Sequence, residues 1–191
     1  KEQWEGEIKT EEARFYGKSL SDFGEISLYL IPDSKCLEYK VWKEMMERHH
    51  YLESSKLFGR QIKYLIKSPY LGCIGGLSFS SSAWRLEERD RVIGWGERQR
   101  GLSLNYVVCN SRFLILPWIR VKNLASHVLS LSLSRLAEDW NKRYGYKPTL
   151  VETYVDPLIR PGICYKASNW KYIGKTKGRG RNDIKHEKRV S

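Results

Sequence analysis

The strongest hydrophobic pattern in the chain lies in its second half. Apolar side chains there recur at steps of four, three, four and four residues, at Leu129, Leu133, Leu136, Trp140 and Tyr144. Such steps place side chains on one face of an α-helix, so the pattern predicts a long amphipathic helix. Gly145 follows the last apolar residue and predicts the end of that helix, because glycine readily adopts the left-handed conformation of a C-terminal cap.

The other apolar segments predict strands and shorter helices around this helix. Leu37, Val41 and Met45 share a helical face, which predicts a helix from residue 37 to about residue 51. A short helix is predicted at "GICYKASN", and a short helix with an exposed loop at 80–104. The predicted strands are a segment near 26–31, "QIKYLIKS", "LGCIGGLSFS", "NYVVCNSRFLIL" with a bulge at "NS", "PTLVETYV" and "WKYIG".

These elements divide the chain into three predicted regions. Residues 1–36 form an N-terminal arm, residues 37–174 form one α/β (α+β) domain, and residues 175–191 form a basic tail without a core-forming pattern. A hydrophobic content of 41% is sufficient for a packed core. No apolar run approaches the roughly 20 residues of a membrane span, so we expect no membrane partner.

The charge of the chain points to a polyanionic partner. The formal net charge is +12, and the tail supplies seven Lys and Arg against two acids. The 84–100 segment combines two Trp with five Arg, a pairing that suits stacked bases and a phosphate track. The predicted nucleic-acid contacts are Arg85, Arg89, Arg91, Trp95, Arg98, Arg100, Lys175, Lys177, Arg179 and Arg181. The alternatives are a lid packed on the core and a solvated linker.

The four cysteines are scattered and form no C-x-x-C pair, and the four His are not spaced with them as metal ligands. We therefore predict free thiols, no metal site and a reducing, cytoplasmic setting.

A second polyanion signal lies at the start of the long helix, in "LPWIRVKNLASHVLSL". It predicts the end of a buried strand, a polar turn and a helix N-terminus, where backbone N–H groups and the helix dipole favour a phosphate. The residues predicted to hold that phosphate are Arg120, Lys122, Asn123, Leu124, Ala125 and Ser126.

The order of elements over residues 37–174 resembles the GNAT family of N-acetyltransferases, which implies a GNAT-like mixed sheet flanked by helices. The turn at 120–125 resembles the loop that holds the pyrophosphate of coenzyme A in that family. "CYKASNWKYIG" resembles its last-helix pattern. The resemblance implies an acyl-CoA cofactor and makes Tyr165 the acid that protonates the leaving thiolate. Val121 and Asn123 replace the usual glycines of the turn.

A longer resemblance covers residues 42–181. The phrases "GRQIKYLI", "DRVIGW", "NSRFLILPWIRVKNLASHVLSL", "ETYVDP" and "CYKASNWKYIGKTKGRGR" are similar to the Druantia anti-phage protein A family. This resemblance implies a bacterial defence or mobile-element context, with nucleic acid and other defence proteins as partners. It does not supply a mechanism.

Polar residues in the apolar segments are further candidates for chemistry. Glu152 is the candidate general base, and its alternatives are an ion pair with Arg112 or a Mg²⁺ site shared with Asp156. His127 is a candidate base or ligand, although a packed or surface role suffices for it. Cys164 is a candidate nucleophile if a helix start lowers its pKa.

Three functions follow from these observations. The first is a nucleic-acid-binding Druantia defence protein on a GNAT-like scaffold. The second is an active acyl-CoA N-acyltransferase that acts on a nucleic-acid-linked, nucleotide or protein amine. The third is a structural adaptor whose cleft is filled by its own side chains.

Overall fold

A computed structural model describes residues 15–16, 19–52, 57 and 59–176 of the chain. The α-helices in this part of the chain are α1 (Leu37–His49), α2 (Glu87–Ile93), α3 (Glu97–Ser103), α4 (Leu124–Tyr144) and α5 (Ile163–Ala167). The strands are β1 (Phe15–Tyr16), β2 (Ser27–Leu30), β3 (Gln61–Ser68), β4 (Gly72–Ser81), β5 (Val107–Ile115), β6 (Ile119–Arg120) and β7 (Leu150–Thr153). Short 3₁₀ turns lie at Leu20–Phe23 and Leu104–Tyr106.

The centre of the fold is a five-stranded mixed sheet in the order β2-β3-β4-β5-β7. Its first four strands are antiparallel, and β7 joins β5 in parallel. The register of β4 and β5 shifts beside Ser111, which confirms the predicted bulge. The mixed sheet with flanking helices confirms the predicted fold class.

Helices α1 and α4 cover opposite faces of the sheet. Lys63 lies over the rings of Tyr39 and Trp42 of α1, whereas its neighbour Tyr64 donates a hydrogen bond to Asp139 of α4 at 2.9 Å. Because successive side chains of a strand point to opposite faces, the two contacts place α1 and α4 on different sides. The buried hydrophobic side chains form one contiguous core, and Trp140 of α4 is buried within it.

The predicted long helix and its end are confirmed. Helix α4 has 21 residues, and Gly145 caps it in the left-handed conformation with φ 79°. The first predicted helix ends at His49, two residues earlier than expected, because His50 adopts an extended conformation.

Three predicted elements differ from the structure. The 80–104 segment contains two helices, α2 and α3, rather than one helix and a loop. Residues 170–174 form no strand. The segment begins with Trp170 against the ring of Tyr165 in α5 and reaches α2 at Gly174, whose backbone meets the side chain of Glu88. In addition, β2 completes the sheet, and Phe23, Leu28 and Ile31 are buried in the common core, so part of the predicted N-terminal arm lies within the domain.

Candidate nucleic-acid interface

Three buried ion pairs link α2 to its neighbours, and one of them joins α2 to the sheet. The guanidinium of Arg89, whose side chain is only 1% exposed, lies 3.3 Å from the carboxylate of Glu152 on β7. The same guanidinium lies 2.9 Å from the carboxylate of Asp90, and Asp90 also binds Arg100 of α3 at 2.9 Å. Two guanidinium groups and two carboxylates therefore join α2, α3 and β7 in one network. Charges are tolerated in an interior when they are paired in this way.

The network also fixes the chain that leads into α2. Arg89 donates hydrogen bonds to the backbone carbonyls of Ala83 at 3.0 Å and of Trp84 at 3.3 Å. Arg100 lies over the indole of Trp84, with 5.8 Å between the guanidinium carbon and the ring centroid. The backbone and the ring of Trp84 are thus both held by arginines whose positions are set by buried carboxylates.

The exposed cations of the segment lie just before α2 and on the outer surface of α2 and α3. Arg85 and Arg91 each have side chains that are 71% exposed, and Arg98 is exposed as well. Arg85 pairs with Glu97, and Arg91 pairs with Glu88. Exposed pairs of this kind contribute only about 0–1 kcal/mol, so a phosphate can compete for either guanidinium.

The start of the basic tail lies beside the same surface. A Cβ atom added to Gly174 would lie 2.7 Å from the side chain of Glu88, the residue that pairs with Arg91. Lys175 follows immediately and is exposed. Lys177, Arg179 and Arg181 lie outside the described residues. The exposed face of α2 and α3 and the first residues of the tail are therefore adjacent. Together with Trp84 and Arg85, which lead into α2, we call them the basic face.

The structure divides the predicted nucleic-acid contacts into two groups. Arg85, Arg91, Arg98 and Lys175 are on the surface, whereas Arg89 and Arg100 are buried in ion pairs. We therefore do not include Arg89 and Arg100 among the residues that reach phosphate. Trp95 is half-buried, and the guanidinium carbon of Arg89 lies 5.9 Å from its ring centroid. The exposed ring of the segment belongs to Trp84.

Sequence reasoning did not identify Asp90 as part of this site or Trp84 as its exposed ring. A Trp between Ala83 and Arg85 carries no periodicity that indicates its exposure. The sequence does place Asp90 directly after Arg89. It cannot show that Asp90, rather than Glu87 or Glu88 of the same helix, is the buried carboxylate.

The predicted phosphate turn lies at the start of α4. Asn123 has φ 65°, so this residue adopts the left-handed conformation, which Asn tolerates better than most residues other than glycine. Arg120 and Lys122 are exposed, Leu124 is buried in the core, and Ala125 and Ser126 are half-buried. A cavity of about 500 Å³ adjoins the turn, and its lining includes Asn123, Ser126, His127, Ser168 and Asn169. Asn169 also has a positive φ, of 62°.

The structure does not bring the predicted acid and base together. The Tyr165 hydroxyl donates a hydrogen bond to the side chain of Asn110 at 2.8 Å, and burial raises the pKa of Tyr165 above its ordinary value. Asn110 is in register with Thr153, while Glu152 is in register with Cys109. Successive strand residues alternate between faces, so Glu152 and the partner of Tyr165 lie on opposite faces of the sheet.

Strand β5 continues past the end of β7. Beyond the pair of Asn110 and Thr153, β5 runs on to Ile115 and β7 has ended. The ring of Tyr165 meets Phe113 of β5 edge-on, with centroids 6.4 Å apart. Tyr165 therefore lies beside β5, just beyond the last residue pair that joins β5 to β7.

Other candidate residues are placed as follows. The carboxylate of Glu152 also accepts a hydrogen bond from Tyr154 at 3.1 Å. Arg112 is buried and donates a hydrogen bond to the carbonyl of Ser111 at 2.6 Å. His127 is exposed at the cavity. Burial raises the pKa of Cys164, which contradicts the expected lowering by a helix start.

Within the described residues, no group of three or more His, Cys, Asp or Glu side chains is arranged to hold a metal ion. Asp156 accepts a hydrogen bond from the backbone of Leu158 at 2.9 Å, as expected of a residue that caps a turn. None of the helices described combines the length and apolar character required to cross a bilayer. The four cysteines, all of which lie in the described part of the chain, are not joined by disulfide bonds.

Comparison with known proteins gives one family match and one structural match. The family model described as Druantia protein DruA matches residues 25–188. No curated protein matches the chain. Among solved structures, an aminoglycoside antibiotic 6'-N-acetyltransferase from Acinetobacter baumannii has 12% identity and a TM-score of 0.48, over 83% of this chain and 99% of that one. A similarity of this size does not bear on function.

Proposed function

The chain belongs to the Druantia protein DruA family, and from that premise we propose that it acts in anti-phage defence by binding nucleic acid through the basic face. The observation that carries this proposal is the adjacency of two basic segments that are distant in sequence. The contact of Gly174 with Glu88 brings the start of the tail to the helix that presents Arg91.

The charges support a contact with phosphate rather than with a neutral partner. The tail from residue 175 carries seven basic and two acidic residues and therefore supplies five of the twelve net positive charges of the chain. Each cation that neutralises a phosphate releases counterions, and the affinity then falls steeply with salt. The exposed guanidinium groups of α2 and α3 extend this charge over a folded surface.

The proposal is tested by the salt dependence of binding. Fluorescence anisotropy with labelled DNA and RNA oligonucleotides, measured between about 50 and 200 mM salt, gives the slope of log K against log salt. We expect the slope to become shallower by roughly 0.7 to 0.9 for each phosphate contact that is lost. The test variant replaces the four exposed cations of the basic face, by Arg85→Gln, Arg91→Gln, Arg98→Gln and Lys175→Gln.

A matched control removes the same charge elsewhere. Lys35, Lys40, Lys43 and Arg48 are exposed on or next to α1, and two of them pair with Glu one helical turn away. Their replacement by Gln should leave the slope closer to that of the unaltered protein. The proposal fails if no oligonucleotide shows salt-sensitive binding, and the basic face is the wrong surface if both variants lose affinity equally.

A second candidate function is acyl-CoA binding, which the cavity at the start of α4 favours. Asn123 and Ser126 line a space of about 500 Å³, and Lys122 is exposed beside it. Backbone N–H groups at a helix N-terminus favour a pyrophosphate there. Calorimetry with acetyl-CoA tests this candidate: heat of binding at millimolar or lower concentration supports it, and the absence of heat rejects it. Glu152 and the hydrogen-bond partner of Tyr165 lie on opposite faces of the sheet, so this arrangement gives no support to a base and acid pair made of these two residues.

A further inference from the structure

Trp84 presents a large aromatic ring to solvent at the edge of the basic face. The residue is 55% exposed, although Trp is among the side chains whose burial stabilises a fold most. The guanidinium of Arg100 lies over the ring, so the cation covers one face of the indole. More than half of the residue nevertheless remains open to solvent.

Buried groups fix both the backbone of Trp84 and the guanidinium that lies over its ring. Arg100 cannot follow a mobile indole, because Asp90 binds its guanidinium at 2.9 Å in a position that is only 8% exposed. The backbone of Trp84 is fixed separately, since its carbonyl accepts a hydrogen bond from the buried Arg89. An exposed aromatic side chain with a fixed backbone and a backing cation loses little conformational entropy when a ligand stacks on it.

Two exposed arginines belong to the same segment as the ring. Arg85 is the next residue along the chain, is 71% exposed and pairs with the exposed Glu97. Arg98 is exposed on α3, the helix that also carries Arg100. A ligand that stacks on Trp84 is therefore bordered by groups that attract phosphate.

We propose that Trp84 is a stacking platform for an unpaired nucleobase, and that the ligand of the basic face is single-stranded nucleic acid. This inference rests on the proposed function and specifies its substrate class. In a duplex both faces of each internal base are covered by neighbouring base pairs, so a surface ring cannot stack on them. In a single strand any base offers a face, and stacking on an aromatic side chain contributes about 1–3 kcal/mol per base.

The experiment compares four labelled probes of about 16 nucleotides. These are single-stranded oligothymidine, single-stranded oligouridine, a DNA duplex and an abasic strand that keeps the phosphates without the bases. The first two probes separate DNA from RNA, and the abasic strand separates stacking from charge. Binding is measured by anisotropy at one fixed salt concentration for the unaltered chain and for Trp84→Ala, Trp84→Phe and Tyr70→Ala.

Tyr70 provides the matched control. Its ring is also exposed, at 72%, but it lies in the turn between β3 and β4. We expect Trp84→Ala to weaken binding of a base-containing single strand by roughly 5-fold to 100-fold, with Trp84→Phe losing less because it keeps a ring. Neither Trp84 variant should change binding of the abasic strand or the duplex, and Tyr70→Ala should change nothing.

Tryptophan fluorescence supplies a second readout. Stacking of a base on Trp84 should quench part of the emission of the unaltered chain, and this part should be absent from Trp84→Phe. If salt-sensitive binding persists but the duplex binds as well as the single strands, and Trp84→Ala has no effect, this inference is overturned while the proposed function survives. If no probe binds in a salt-sensitive way, both are overturned.

Discussion

The buried pair of Arg89 and Glu152 gives the sharpest test of how the basic face is held. In Glu152→Gln the side chain keeps its shape and can still accept a hydrogen bond, but the negative charge opposite a guanidinium that is 1% exposed is lost. Removing one partner of a buried ion pair destabilises a protein by about 3–5 kcal/mol. The lower end applies here, because Asp90 still binds Arg89 at 2.9 Å and the distance to Glu152 is 3.3 Å.

We therefore expect Glu152→Gln to reduce the free energy of unfolding by about 3 kcal/mol. For a chain of this length that corresponds to a decrease in Tm of roughly 6–12 °C. Urea unfolding followed by far-ultraviolet circular dichroism measures the change as a lower midpoint with an unaltered slope. The control is Glu138→Gln, which removes a carboxylate from the exposed pair with Lys147 and should change stability by less than about 1 kcal/mol.

A second background separates the ion pair from other effects of the substitution. In an Arg89→Met chain the carboxylate of Glu152 is buried without this cation, so Glu152→Gln should there be neutral or stabilising. Equal effects of Glu152→Gln in both backgrounds, or an effect no larger than that of Glu138→Gln, would refute the view that this pair anchors α2 to the sheet.

Three further predictions concern the rest of the fold. Gly101→Ala in α3 should raise the free energy of unfolding by up to about 1 kcal/mol, because nothing lies within 4 Å of the added methyl group. Gly76→Ala should lower the free energy of unfolding by about 1–3 kcal/mol, because its methyl group would lie 2.8 Å from the ring of Trp42. Urea unfolding of both variants measures the two changes. Burial, together with two nearby guanidinium groups, lowers the pKa of His50 to about 4. Between about pH 6.5 and 4 the unfolded chain protonates His50 and the folded chain does not, so the free energy of unfolding should fall as the pH falls through that window. His50→Asn should remove this loss of stability, which is at most about 3 kcal/mol before solvent screening. If the variant shows the same pH dependence of stability, His50 is not the group responsible. Burial raises the pKa of Cys73 to about 11, so at pH 8 only about one thiol in a thousand is ionised and iodoacetamide should alkylate Cys73 far more slowly in the folded chain than in urea; equal rates by mass spectrometry would show that the thiol is not buried.

Local patterns in the sequence determined most of the secondary structure. The steps of three and four from Leu129 to Tyr144 are a property of one segment, and the helix and its Gly145 cap follow from helical geometry and glycine conformation alone. The apolar strands β3 and β4 and the bulge at Ser111 are likewise encoded within or next to the strands that form them. The sequence phrases that resemble the Druantia family are also local, and the match of the family model to residues 25–188 confirms the resemblance.

The tertiary structure alone decided where the charges lie. Arg89 and Arg91 belong to the same short helix and look alike in the sequence, yet the first is buried against Glu152, 63 residues further along, and the second is exposed. Residues 170–174 have the composition of a strand, but a strand needs a partner edge, and this segment instead contacts Tyr165 through Trp170 and Glu88 through Gly174. Ion pairing and strand pairing depend on residues brought together by the whole fold, so a pattern within one segment cannot specify them.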